Sequence, residues 1–148
     1  MRCRRKQRGV AAVELALVMI PLIFLAFGIT EFGRAIYHYN TLAKSVRDAT
    51  RYLSQQGPGE GSGTARCLAV HGNRTCSGTP LAPGLTLSNV QVHDQSTDPG
   101  THQNQATGSG AINLVTVTID GYQFVSLVPF VATNITFGDI SVTMRQVM

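Results

Sequence analysis

The chain has 148 residues, of which 43% are hydrophobic and 14% are charged, and its mean hydropathy is +0.07. This composition fits one domain and excludes both a fully disordered chain and a protein with many membrane spans. The formal net charge of +4 is concentrated at the N-terminus, because five of the 12 basic residues lie in the first eight positions. From Val10 onward the chain has seven basic and eight acidic residues, so we predict no nucleic-acid partner.

An apolar segment follows this basic cluster. Residues 10–29 contain one charged residue, Glu14, and one proline, Pro21. A helix of 20 residues is about 30 Å long, which is the thickness of the hydrocarbon core of a bilayer. We therefore predict a transmembrane helix over 10–29, with the basic residues cytoplasmic and the rest of the chain on the far side. A cleaved secretory signal is the alternative, but the apolar run exceeds the usual length of about 7–15 residues.

Glu14 is the most informative residue of this span. A carboxylate costs about 2.5–3.5 kcal/mol at the centre of a bilayer and less near the interface. The sequence offers no Lys or Arg partner between Gly9 and Arg34. Cleavage after Gly9 would give Val10 an α-ammonium group one helical turn from Glu14, able to pair with it in the same chain or in a neighbouring subunit. The alternative is an interfacial Glu14 that extends toward the cytoplasmic headgroups.

The same residues carry a family resemblance. A basic leader, Gly9, a glutamate five positions later and an apolar helix resemble the processing site of type IV pilin-like proteins. Residues 8–21 (RGVAAVELALVMIP) and 27–35 (FGITEFGRA) resemble the TadE/TadG-like proteins of the tight-adherence (Tad/Flp) pilus, although Leu15 stands where that family usually has an aromatic residue. The resemblance implies that a prepilin peptidase removes leader residues 1–9 by cutting between Gly9 and Val10. It also implies that Glu14 guides subunit assembly.

The helical pattern continues beyond the span. Apolar and small residues recur at alternating intervals of four and three, which is one helical face: Phe32, Ile36, Tyr39, Ala43, Val46, Thr50 and Leu53. Gly57, Pro58 and Gly59 end the pattern. We predict an amphipathic helix over 30–56 that packs on a downstream sheet, with coiled-coil association with a partner helix as the alternative.

Residues 57–148 are predicted to form an extracytoplasmic domain. Residues 57–84 are rich in Gly, Pro, Ser and Thr, which predicts an ordered loop or turns, and they include Cys67 and Cys76. Outside the cytoplasm a disulfide persists, so we predict one between these two cysteines. The alternative is a metal site of Cys67, His71 and Cys76, but three ligands at this spacing do not resemble a zinc knuckle. We predict no metal and no cofactor.

The C-terminal part changes to the period of a β-strand. Strand-like stretches occur at 85–92, at 112–119 with an extension over 121–124, and at 135–144, while the polar residues 94–110 are predicted to form a mobile surface loop. Three or four antiparallel strands supply a surface for the amphipathic helix. The predicted fold class is α+β: a long N-terminal helix packed on a small antiparallel sheet, a layout that the resemblance also implies and that is pilin-like.

No motif of catalysis is present. The sequence lacks a nucleophile elbow, a phosphate-binding loop and a His-Glu-x-x-His pattern, so we predict that the protein is not an enzyme. The resemblance implies a minor pilin-like subunit in the bacterial inner membrane. Its partners would be a prepilin peptidase, other pilin-like subunits and the Tad secretion machinery. The alternative is an uncleaved bitopic protein whose outer domain binds another envelope protein or a ligand.

Overall fold

A single long helix dominates the computed structural model, which describes residues 7–128, 130 and 134–147. Helix α1 runs from Gln7 to Leu53 and continues through Pro21, and its 47 residues give a length of about 70 Å. The predicted segments 10–29 and 30–56 therefore lie on one helix, which ends three residues earlier than expected. The first six residues of the predicted leader lie outside the described residues.

The predicted antiparallel sheet is confirmed, with β3 (Gly110–Ile119) at its centre. Strand β1 (Val90–His93) pairs with the last residues of β3, and β6 (Ile140–Gln146) pairs with most of its length. Strand β2 (Gln105–Thr107) forms a hairpin with the first residues of β3. Two short strands, β4 (Gln123–Phe124) and β5 (Ile135–Thr136), form a separate antiparallel pair.

The core lies between the C-terminal half of α1 and one face of this sheet. Alternate residues of β3 point toward the helix, because successive side chains of a strand point to opposite faces. The most deeply buried side chains from helix and sheet are those of Leu42, Val46, Ala49, Val115, Val117 and Ile119. This contact confirms the α+β fold class, with the long helix packed on the sheet.

Two segments differ from the sequence-based expectation of loops. Residues 57–84 contain helix α2 (Ser62–His71), which packs against α1 through Ala65, Ala69 and Val70. Its small residues allow close approach to α1, but they gave too weak an apolar pattern to reveal a helix. The predicted mobile loop 94–110 contains the short helix α3 (Pro99–His102) and strand β2.

The predicted strand boundaries also need correction. The first strand begins at Val90, since the preceding residues Leu87–Asn89 form a 3₁₀ turn. The stretch predicted as one last strand is divided into β5 and β6, with Phe137–Asp139 between them outside regular structure. A break at Gly138 is consistent with the low strand propensity of glycine.

Candidate functional site

The N-terminal half of α1 is bare, which means that its apolar side chains are not covered by the sheet or by α2. Its most apolar 18-residue window has a mean hydropathy of 2.6, and none of that window is buried within the protein. Large side chains such as Leu17, Leu25 and Ile29 are exposed to 66%, 63% and 65%. A water-soluble monomer rarely exposes so large an apolar surface, so this half-helix needs lipid or other chains around it.

The residues predicted for processing and assembly lie on this bare half-helix. Gly9, Val10 and Glu14 are all helical and exposed, and Glu14 stands one turn after Val10. An added Cβ at Gly9 meets no atom within 4 Å. The described residues contain two ion pairs, Glu31–Arg34 and His93–Asp98, and neither involves Glu14. The structure thus leaves Glu14 available to a group from outside the fold.

The two cysteines of the domain are brought together. Cys67 lies on α2 and Cys76 lies in the following turn, and they are joined as a disulfide with Cα atoms 4.7 Å apart. The third candidate ligand, His71, directs its Nδ1 atom to the carbonyl oxygen of Gly78 at 3.1 Å. The structure therefore pairs the two sulfurs with each other and His71 with the backbone.

A buried carboxylate that sequence analysis missed lies just beyond the predicted span. Glu31 is only 4% exposed, and its two oxygens accept hydrogen bonds from Arg34 Nη1 at 2.7 Å and from the backbone N–H of Leu127 at 3.1 Å. The Arg34 guanidinium also lies 5.3 Å from the centre of the Phe124 ring. Glu31 fastens the membrane-proximal end of the domain to α1. The i, i+3 spacing of Glu31 and Arg34 was its signal in the sequence.

A polar cluster on the outer face of the sheet resembles parts of a catalytic site. His93 Nδ1 makes a short contact with Asp98, and His102 Nε2 lies 2.9 Å from the hydroxyl of Thr116. The two imidazoles stack with their centroids 6.1 Å apart. A nucleophilic site needs one base that links the hydroxyl to its orienting acid. Here one imidazole contacts the acid and the other contacts the hydroxyl, so the cluster lacks that arrangement.

An open groove of about 540 Å³ lies between α1 and the region of α2. It is lined on the α1 side by Tyr37, Lys44 and Asp48 and on the other side by Leu68 and Leu81. Its mixture of apolar walls and two opposite charges is compatible with a small ligand or a peptide segment.

Comparison with protein families matches residues 9–51 to the family described as TadE-like protein. Residues 9–51 are TadE-like. The family prediction is thus confirmed on the helix that carries Gly9, Val10 and Glu14. Comparisons with curated proteins and with solved structures each gave no match.

The TadE-like segment coincides with one structural element. It begins at Gly9, covers the whole exposed apolar stretch, and ends two residues before α1 does. The match and the exposed apolar helix together support a single-pass membrane protein associated with the Tad pilus. The sheet and α2 lie outside the matched segment.

Proposed function

We propose that this protein is a membrane-anchored, TadE-like minor subunit for assembly of a tight-adherence pilus. A prepilin peptidase removes residues 1–9 at the cytoplasmic face of the inner membrane, and the domain after the span lies outside the cytoplasm. The helix that starts at Val10 then moves from the bilayer into a bundle of pilin-like helices. The protein acts by association and not by catalysis.

The observation that carries this proposal is the bare TadE-like half-helix with one acid near its start. Burial in a helical bundle satisfies its exposed apolar side chains as well as lipid does. Glu14 would be costly to bury alone, but an ammonium group at Val10 provides an opposite charge at the same depth. In the described structure Glu14 forms no ion pair, which leaves its carboxylate free for the terminal ammonium of a neighbouring subunit.

The mass of the membrane-extracted protein tests the processing step. We expect the mature chain to begin at Val10 in cells that contain the peptidase and at Met1 in cells that lack it. Gly9→Leu is expected to keep Met1 in both, because a large side chain at the cleaved bond blocks the peptidase. Since a Cβ at Gly9 meets nothing within 4 Å, this variant leaves the helix intact.

The matched control is Gly33→Leu, at another helical glycine where an added Cβ also meets nothing within 4 Å. It is expected to be processed normally. A wild-type chain that still begins at Met1 when the peptidase is present contradicts the proposal.

The groove between α1 and α2 supports a second candidate function. In this alternative the leader stays in place and the protein is a bitopic anchor whose outer domain binds another envelope protein or a ligand. The groove carries Lys44 and Asp48 at its wall, so a zwitterionic or peptide-like group fits its charges. The mass experiment separates the two functions, because only the anchor keeps residues 1–9 in the presence of the peptidase.

A further inference from the structure

An exposed apolar patch projects from the domain after strand β4. It consists of Val125, Leu127 and Phe130, whose side chains are exposed to 57%, 73% and 72%. The sequence has no charged residue from Gly121 through Gly138, so no charged side chain within this segment opposes contact with an apolar phase. Aliphatic and aromatic side chains at such exposure mark a surface that contacts lipid or another protein.

Phe130, at one end of the patch, lies at the level of the predicted membrane span. The ring of Phe130 packs edge-on against the ring of Phe24, with centroids 6.1 Å apart. Phe24 stands five residues before Ile29, the outer end of the span, which corresponds to about 7.5 Å along the helix. The Phe130 ring is thus beside the span and below its outer end.

A hydrogen bond to α1 fixes the position of the patch along the helix axis, near the outer end of the span. The backbone N–H of Leu127 donates to Glu31 at 3.1 Å, and Val128 donates its N–H to the Ser126 hydroxyl at 3.1 Å. Glu31 is also paired with Arg34, so the polar anchor lies directly after the apolar span. Along this side of α1, the polar pair Glu31–Arg34 lies beyond the outer end of the span, and the apolar rings of Phe24 and Phe130 lie beside the span. This is the order of polar and apolar groups at a membrane interface.

We propose that Val125, Leu127 and Phe130 insert into the outer interface of the bilayer, beside the transmembrane helix, and give the domain a second membrane contact. This inference rests on the proposed membrane anchoring of residues 10–29. The depth of about 7.5 Å for Phe130 agrees with the depth of about 5–10 Å at which interfacial apolar residues are buried. Lipid is favoured over a second copy of the chain because the patch is continuous with a helix surface that itself faces lipid.

The contact would orient the domain. A single helix rotates and tilts freely in a bilayer, whereas two contacts joined by the Glu31–Leu127 hydrogen bond restrict both motions. The side of α1 that bears Phe24 is then fixed next to the patch. The opposite side is left for other helices before and during assembly.

Tryptophan fluorescence tests the insertion without background, because the chain contains no Trp. Single variants Phe130→Trp and Leu127→Trp of the full chain are reconstituted at high lipid-to-protein ratio in phosphatidylcholine–phosphatidylglycerol vesicles with brominated acyl chains. Phe27→Trp reports on the span itself. Val147→Trp is the matched control, since Val147 is also 72% exposed but hydrogen-bonds to Ser54 beyond the far end of α1.

We expect the brominated lipid to quench Phe130→Trp and Leu127→Trp nearly as strongly as Phe27→Trp, and to leave Val147→Trp unquenched. Quenching of Phe27→Trp without quenching of the two patch variants overturns the bilayer contact but leaves the membrane anchor intact. A blue-shifted, unquenched Phe130→Trp also overturns it and indicates a second copy of the chain on the patch. If Phe27→Trp is not quenched, both the anchor and the patch contact are wrong.

Discussion

Three backbone N–H groups converge on the buried carboxylate of Asp94. Its side chain, 6% exposed, accepts the N–H groups of Gly59 at 2.7 Å and of Ser96 and Thr97 at 2.9 Å. These bonds tie the loop before α2 to the turn after β1. Burial alone would raise the pKa of Asp94, but the hydrogen bonds from Ser96, Thr97 and Gly59 outweigh it and lower the pKa to about 2.

The depressed pKa of Asp94 predicts acid-dependent stability. The folded value lies below the ordinary value of 3.8, so the stabilisation is complete above about pH 5 and is lost as the pH falls toward 2. Asp94→Ala is expected to lower the free energy of unfolding by about 2 kcal/mol at pH 7 and by much less near pH 2. Urea unfolding of the full chain in detergent, repeated across this pH range, measures both effects.

Asp139→Asn is the control for removal of a carboxylate. A hydrogen bond and charge repulsion from Asp120 raise the pKa of Asp139, so its ionised form is disfavoured in the fold. Its replacement should therefore not destabilise the protein at pH 7. An Asp94→Ala variant that keeps the acid dependence of the wild type contradicts the assigned role.

Sequence reasoning missed Asp94 because it treated 94–110 by composition alone. A polar stretch without large apolar residues is typical of a mobile loop. The Asp-Gln-Ser-Thr pattern at Asp94 was nevertheless a local signal for a turn in which the aspartate accepts backbone N–H groups. Its partner Gly59 lies 35 residues earlier, and a contact across such a distance cannot be read from spacing.

At the scale of elements, the periodicity of α1 gave the right helix and part of the right face. Val46, Thr50 and Leu53 are buried as predicted. Nearer the membrane the buried face is carried by Glu31 and Ala35, and the residues predicted there are exposed to 67%, 46% and 48%: Phe32, Ile36 and Tyr39. The sheet is too short to cover the whole helix. Apolar residues near the membrane face lipid or partners, so hydrophobicity there did not report on the core.

Buried and exposed apolar side chains on α1 predict different losses of unfolding free energy when they are truncated to alanine. Leu42 and Phe32 both lie on α1. Leu42 is fully buried in the core, whereas Phe32 is 67% exposed. Leu42→Ala is expected to lower the free energy of unfolding by about 2–5 kcal/mol, because it removes buried contacts and leaves a cavity. Phe32→Ala should change it by less than about 0.5 kcal/mol. Urea unfolding of both variants in detergent measures the difference.

The comparison is matched, since both residues are large, apolar and on the same helix. Equal destabilisation by the two variants contradicts the observed face of α1. A large loss for Phe32→Ala alone supports the face that periodicity predicted.

At the scale of the whole molecule, α1 divides into two halves with different partners. The C-terminal half packs on the sheet and α2, while the exposed N-terminal half provides the apolar surface for lipid. The sequence predicts this division, since an unbroken apolar run and an amphipathic run follow one another. The attachment of the patch through Glu31 and Phe24 was not predictable, because it joins residues about 100 positions apart.

The division makes Glu14 a test of assembly that is independent of folding. Glu14 lies in the half that contacts no part of the core, so Glu14→Ala is expected to leave membrane insertion and the unfolding of the domain unchanged. Under the proposed function, however, the variant leaves the terminal ammonium of Val10 without a carboxylate in the helical bundle, at a cost of about 2.5–3.5 kcal/mol. Incorporation into pili should therefore fall by about 100-fold. Sheared pili and membranes from the same cells, compared by quantitative immunoblotting, measure that ratio.

Two further variants separate the charge of Glu14 from its contact area. Glu14→Gln keeps the size of the side chain and removes its charge, so it should lose incorporation as Glu14→Ala does. Leu17→Ala trims a side chain that is 66% exposed on the same half-helix and should reduce incorporation far less. Normal incorporation of Glu14→Gln would show that the carboxylate does not pair with a terminal ammonium. The bare half-helix would then act through its apolar surface alone.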